Sequence, residues 1–459
     1  MPYPSLEQYQ EALQHPKTAF TEPSLAVGHL RQTGLGLPLA LCGGFALTYT
    51  VEASGKKYAV RCFHKESKAL EQRYAAISEH LKSLRSPYFL DFEFQPQGVR
   101  VKGGTFPLVK MSWATGETLG EFVETNFNDK SQLNNLVTSL QALQAYLEKE
   151  GIAHGDLQSG NVMVSDAGRK LQLIDYDGMF VPKIAGLGSA EIGHRNFQHP
   201  KRTGSQFGPK LDRFSFITLN VALRALIANA ALWTQSQSDG DSFIFRANDF
   251  DDPSASTAMA EVAKLVGLER DTKNFASVCM GSYTNVPSIS SFLAGTDVVE
   301  QIVVFGSLAK QSQLKPGYIG AYAVLDAANY FRFSKSIGQM VELVGRVVEV
   351  SQNKTQHGKP YVFVNFADWK GQCVKLNIWS EALEKGGAKP TNKWVGSWIS
   401  VKGLVEPAYH SRRYNYDHIS VTVGTLAQIH QINESEARYR LAGPSVRDIS
   451  PSRANSQLL

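Results

Sequence analysis

The sequence predicts an α+β protein: a domain that is β-rich in its first part and helical in its second, followed by a small all-β module. Three observations predict it. Strand-like alternation dominates from Leu39 to Trp113, helix-spaced apolar residues take over after Gly116, and short strands return between about Val341 and Val423. A length of 459 residues suits two or three domains. With 43% hydrophobic, 10% aromatic and 19% charged residues, the composition is that of a globular chain and excludes a disordered, collagenous or coiled-coil one.

In chain order, residues 1–34 read as an N-terminal extension. Leu39 to Phe63 reads LALCGGFALTYTV, a turn at Ala53 to Lys57, then KKYAVRCF, which is a hairpin. Leu70, Tyr74, Ile77, Leu81 and Leu84 share one helical face, and strands follow around Phe89 to Phe94, Val99 to Lys102 and Pro107 to Trp113. Leu133, Leu136, Val137, Leu140, Leu143 and Leu147 form a stripe that stops at Gly151, where a C-cap belongs. The apolar segment Phe216 to Trp233 carries Asn220, Arg224 and Asn229, so it reads as a buried core helix rather than a membrane span. The expected divisions are 35–295, split near 115, a linker at 296–336, the β module at 337–432 with a short helix near Ser380 to Lys385, and a flexible tail from 433 to 459.

Cys42, Cys62, Cys279 and Cys373 form no CxxC pair, which argues against a disulfide scaffold, a zinc ribbon or a thioredoxin-like site. A reducing compartment, the cytoplasm, is expected. The start MPYPSLEQYQEALQ lacks a basic stretch followed by an apolar one, so neither a signal peptide nor a membrane partner is expected. Net charge is 47 − 42 = +5, of which Val341 to His430 holds 11 − 7 = +4. The basic excess sits in the β module.

The chemistry concentrates in HGDLQSGNVMVSDAGRKLQLIDYDGMF, His154 to Phe180. Asp156 is followed by Asn161 and, after a β-like LQLI, by Asp175, so a loop, a strand and a second loop bring three oxygen-bearing side chains together. Phosphoryl transfer from a nucleotide needs such a set: a carboxylate to orient the acceptor hydroxyl and oxygen ligands for Mg²⁺. The arrangement resembles the HRDxxxxN loop and DFG of the protein kinase superfamily. Around it, Tyr58-Ala59-Val60-Arg61 resembles the VAIK strand, and Gly43-Gly44-Phe45-Ala46 stands where the glycine-rich loop belongs. Gly193 to Pro200 resembles the end of an activation segment, and Leu211-Asp212-Arg213-Phe214-Ser215 the Asp that opens a central helix and braces the catalytic loop.

The resemblance, to a bacterial serine/threonine kinase-like domain, implies a bilobal fold over residues 35–295, with ATP and Mg²⁺ or Mn²⁺ as cofactors and a protein as acceptor. It makes Asp156 the catalytic Asp and Asn161 and Asp175 metal ligands and members of the catalytic set; Gly43, Gly44, Arg61, Met111 and Ser112 would bind the nucleotide. The sequence departs from the family pattern at several points: Arg61 replaces the phosphate-gripping Lys, only two glycines remain in the loop, Gly155 replaces the HRD arginine, and Asp177 adds a carboxylate to DFG. The glutamate that pairs with the strand cation is Glu71 or Glu79. His154 and His199 read as structural hydrogen-bonders. Three readings stay open: an active protein kinase, a nucleotide-binding pseudokinase, and a small-molecule phosphotransferase, whose HGDxxxxN motif HGDLQSGN also resembles.

The β module reads VELVGRVVEV, PYVFVNFADW, QCVKLNIWS, GSWISVKGLVEP and YNYDHISVTVG. It resembles an OB-fold, a five-stranded barrel of the nucleic-acid-binding type. That resemblance puts Tyr361, Phe363, Lys375 and Trp379 on a ligand face and Arg412 and Arg413 in a clasping loop, with single-stranded DNA or RNA as partner. Tyr361 and Phe363, two apart, share one face, and that face is either ligand-binding or core. A protein ligand and a purely structural role are the other readings.

Overall fold

The computed structural model describes residues 2–32, 36–42, 46–65, 69–306, 318, 320, 322–384, 387–411 and 416–442. The described residues form a mixed α/β protein with three sheets. Two compact units divide the described residues: those within 2–71, 92–113 and 320–442 form the first, and those within 72–91 and 114–318 the second.

In the first unit, the predicted hairpin pairs Ala46–Ala53 with Lys56–Phe63 through a turn whose Ser54 and Gly55 both have positive φ, 52° and 74°. Gly104–Ser112 and Phe92–Val101 extend this sheet on one side and His29–Leu30 and Ala40–Cys42 on the other, giving six strands. The expected extension is part of its core. Ser5 and Gln8 form a capping box that starts the helix Leu6–Leu13, and Leu6, Tyr9 and Leu13 fall on one face of it. These pack with Phe20 and Leu25 against Leu47, Tyr49, Val51, Val60 and Cys62 of the sheet. Each such side chain contributes about 1.5–3 kcal/mol on full burial.

The second sheet of this unit has nine strands where five were expected. Its order is Ala323–Asp326, Met340–Arg346, Trp398–Val405, Tyr416–Thr422, Gln372–Ile378, Pro360–Asn365 and Glu349–Lys354, with Tyr409–Ser411 and Ile429–Ile432 paired at the side. Among the described residues, the path of pairings does not close into a barrel. Two expectations are corrected here. The end of the expected linker forms the strand Ala323–Asp326, parallel to Met340–Arg346, and the helical turn Tyr330–Ser334, because Leu325 and Phe333 are buried in the module's core. The expected tail begins with a helix, Glu434–Leu441, capped by Asn433 and held by buried Arg440, which bonds Glu342 and Glu436, both at 2.8 Å. Residues 443–459 lie outside the described residues.

The second unit is mostly helical. Thr118 and Glu121 cap Leu119–Asn126, Asp129 caps Lys130–Glu150, and the predicted Leu133-to-Leu147 stripe is its buried face, ending at Gly151 with φ 67°. The predicted core helix runs over Arg213–Ala228 and is buried on nearly every side. It stops earlier than expected because Asn229 turns extended, and Leu232–Gln235 is a separate turn. Among the described residues no helix is long and apolar enough to cross a membrane. A three-stranded sheet of Glu117–Thr118, Val162–Ser165 and Lys170–Leu173 carries the loops of the HGD and DYD motifs.

Candidate functional site

The second unit brings Asp156 and Asn161 into direct contact. Asn161 Nδ2 donates to Asp156 O at 2.9 Å and to Asp156 Oδ2 at 3.1 Å. Gln158 Nε2 donates to the same Oδ2 at 2.6 Å, and the His194 amide donates to Oδ1 at 2.7 Å. Burial pushes the Asp156 carboxyl up; nearby Asp175 adds to this, while the His194 amide and His154 oppose it.

Asp212 braces the loop from below. Its two oxygens accept the backbone amides of His154, at 2.5 Å, and Gly155, at 2.8 Å. It precedes the helix Arg213–Ala228 yet makes no side-chain cap, because both oxygens are taken by the loop. Its own carboxyl is pushed up by burial, against the pull of His154, the two amides and Arg202.

Asp175 follows the strand Lys170–Leu173, half-buried, with φ 63°. The Ile174 amide bonds Asn161 O at 3.0 Å, so the two expected metal ligands hang from one backbone contact. Asn161 spends its side-chain N–H groups on Asp156, which turns its amide oxygen toward other partners. Oxygen donors of this kind suit Mg²⁺, a hard cation that keeps several of its own waters. Among the described residues no group of three or more His, Cys, Asp or Glu could hold a metal ion.

Asp177, whose role the sequence left open, accepts a hydrogen bond from Tyr74 of the helix Leu70–Leu84. The side chains of His154 and His199 both meet backbone carbonyls. His154 Nε2 meets Ile174 O at 2.9 Å, and His199 Nε2 meets Val278 O at 3.0 Å. Neither expected helix glutamate is buried: Glu71 is exposed, and Glu79 is exposed and pairs with Lys183. Helical periodicity is the reason, since the buried face carries Arg73, Tyr74, Ile77, Ser78 and Leu81. The sequence reading also missed Gln158, His194 and Arg202; all three stand within or just past the quoted motifs, but only folding brings His194 and Arg202 back to the loop.

In the first unit, Arg61 is buried on Lys56–Phe63, paired in register with Thr48 and Val109. Met111 is buried opposite Ala59, and Ser112 is half-buried opposite Tyr58. Gly43, Gly44, Arg412 and Arg413 lie outside the described residues.

The nine-stranded sheet settles which face Tyr361 and Phe363 occupy. Val362, Val364, Val374, Leu376 and Ile378 point into the core, so Tyr361, Phe363, Lys375 and Asn377 point the other way. The rings of Tyr361 and Phe363 are 4.6 Å apart, and Lys375 Nζ lies 4.3 Å from the Phe363 centroid. Trp379 does not serve as an exposed stacking ring. It is 5% exposed and packs with Tyr361 and Phe363, its centroid 5.6 and 5.8 Å from theirs, because it is where Gln372–Ile378 turns into a helix. In its place, the strand Tyr416–Thr422 adds Tyr416, stacked on His418 at 4.0 Å, with exposed Trp369 and Tyr409 beside it. No protein-family model matches the chain, and no curated protein matches it.

Proposed function

We propose that the chain is an ATP- and Mg²⁺-dependent serine/threonine-type protein kinase, bilobal over residues 35–295, with a C-terminal OB-type module that binds single-stranded nucleic acid. One observation carries the first half: the Asp156–Asn161 pair, bonded at 3.1 Å, on a loop whose amides are held by Asp212. In this reading Asp156 orients the acceptor hydroxyl and takes its proton, and Gln158 and Asn161 keep the carboxylate in place. Asn161 and Asp175 would hold Mg²⁺, and Gly43, Gly44, Arg61, Met111 and Ser112 the nucleotide. Bound Mg²⁺ would neutralise charge on the triphosphate.

The OB-type reading rests on connectivity. Only Val347 and Val348 separate Met340–Arg346 from Glu349–Lys354, and their amides bond Ser397 O and Asn365 O, both at 2.9 Å. One bent strand therefore pairs on both sides, and Gln372–Ile378 runs parallel to Tyr416–Thr422 as that topology requires. The ring-bearing face with Lys375 supports stacking of bases.

The test is γ-phosphate transfer by the full chain to a generic protein acceptor with Mg²⁺. Asp156→Asn is expected to lower transfer by at least about 10²-fold while ATP binding persists. Asp175→Ala is expected to abolish metal-dependent ATP binding; unchanged binding counts against the site. A second reading, a nucleotide-binding pseudokinase, is favoured by the His194 amide on Asp156 Oδ1, where an acceptor hydroxyl would bind. Metal-dependent ATP binding with no transfer selects it.

A further inference from the structure

Gly155 stands where the resembled family carries an arginine, and the backbone gives the reason. Its φ is 82°, and a Cβ there would lie 2.0 Å from Gly178 O in the DYDG loop. A side chain has no room. A cation nevertheless reaches the same peptide from further along the chain. Arg202, 6% exposed, donates from Nη1 to Gly155 O at 2.7 Å and also to Gln198 Oε1. Gly155 N is held by Asp212 Oδ1 at 2.8 Å. One residue is thus clamped on both its backbone groups, between a buried guanidinium and a buried carboxylate, and Asp156 is the next residue.

The charges favour the same assignment. Asp156 and Asp212 are both buried, and a buried carboxylate stays ionised only with a compensating charge or hydrogen bonds. Burial pulls the Arg202 pKa down, the nearby Tyr283, Asp212, Asp156 and Glu191 oppose it, and a guanidinium stays charged in such a setting. Nε and Nη2 of Arg202 find no hydrogen-bond partner among the described residues, so its contacts with the loop run through Nη1 alone.

We propose that Arg202 is a positioning residue that fixes the Gly155–Asp156 peptide and supplies a permanent positive charge to the catalytic loop, so that the loop is organised without phosphate on the segment before it. Its functional meaning rests on the kinase reading; the clamp itself does not.

The experiment compares the full chain with Arg202→Met, Arg202→Gln and Arg202→Lys, using ATP, Mg²⁺ and a generic protein acceptor. Arg202→Met is expected to lower kcat by about 10²-fold, the scale of a small misplacement of a reacting group, with KM for ATP within about twofold of wild type. Arg202→Lys, which keeps the charge and a donor, should recover about tenfold of that loss. Arg202→Gln, which keeps only the donor, should recover less, and it stands in for Arg202→Met if that variant does not fold. Phosphatase treatment of the wild type should leave kcat unchanged. Unchanged kcat in the Met variant, Lys no better than Gln, or loss of activity on phosphatase treatment overturns the proposal. Amide exchange at His154 to Asp156, measured without ATP, separates the two levels. If the wild type transfers no phosphate, the kinase reading fails, and the exchange then decides the clamp: faster exchange in the uncharged variants sustains it and unchanged exchange overturns it.

Discussion

Gly155 and His199 are single residues whose surroundings set a measurable property. At Gly155 the left-handed φ and the Gly178 carbonyl both exclude a side chain. Gly155→Ala is therefore expected to destabilise the protein by at least about 2 kcal/mol, read from denaturant unfolding. A loss under about 0.5 kcal/mol would mean the DYDG loop gives way freely. His199 accepts the Lys201 amide at Nδ1 and meets Val278 O at Nε2, and burial pushes its pKa from 6.5 down to about 4. Between those values the unfolded chain binds the proton and the folded one does not, so the His199 contribution is present above pH 6.5 and is lost as pH falls toward 4. The full window is worth up to about 3 kcal/mol. His199→Gln should flatten the fall in stability over that range, and an unchanged slope would show that other groups cause it. Asp156, Asn161 and Asp175 could be picked out because they stand at fixed spacings along two neighbouring loops, and Asp212 because it directly precedes an apolar helix. Arg202 could not, since nothing in its local sequence says that its side chain returns to Gly155.

At the scale of elements, alternation told which residues share a strand face but not which face is buried. Tyr361 and Phe363 became readable as outward-facing only when Val362 and Val364 were seen in the core between the strands. On the proposed nucleic-acid reading, the double change Tyr361→Ala with Phe363→Ala is expected to weaken single-stranded oligonucleotide binding by about 1–3 kcal/mol per stacked base while leaving the salt dependence nearly unchanged. Undiminished binding would move the ligand to another surface, such as the Trp369, Tyr409 and Tyr416 rings. The helix Leu70–Leu84 teaches the converse. Its apolar stripe is plain in the sequence, and Glu71 and Glu79, which lie off that stripe, are exposed in the structure.

At the scale of the whole molecule, the first unit gathers three separate stretches of chain. Its closing helix Glu434–Leu441 is tied in through Arg440, whose Nη1 reaches Glu342 at 2.8 Å and Ser400 Oγ at 3.3 Å. Replacing one partner of a buried pair strands the other charge, so Arg440→Met should cost about 3–5 kcal/mol of unfolding free energy. A loss below about 1 kcal/mol would show that the other partners of Glu342 and Glu436 satisfy them without Arg440. The sequence by itself determined the change from strand-rich to helical to strand-rich segments, the helix Lys130–Glu150 with its cap at Gly151, and the spacing of Asp156, Asn161 and Asp175, because each depends on neighbours within a few positions. Only the tertiary structure decided that the N-terminal helices cover a sheet, that residues 323–334 and 434–441 join the second sheet's unit, and that His194 and Arg202 close on Asp156 and Gly155. Those facts turn on which distant apolar faces and buried charges find each other, and such pairing leaves no periodic trace in the chain.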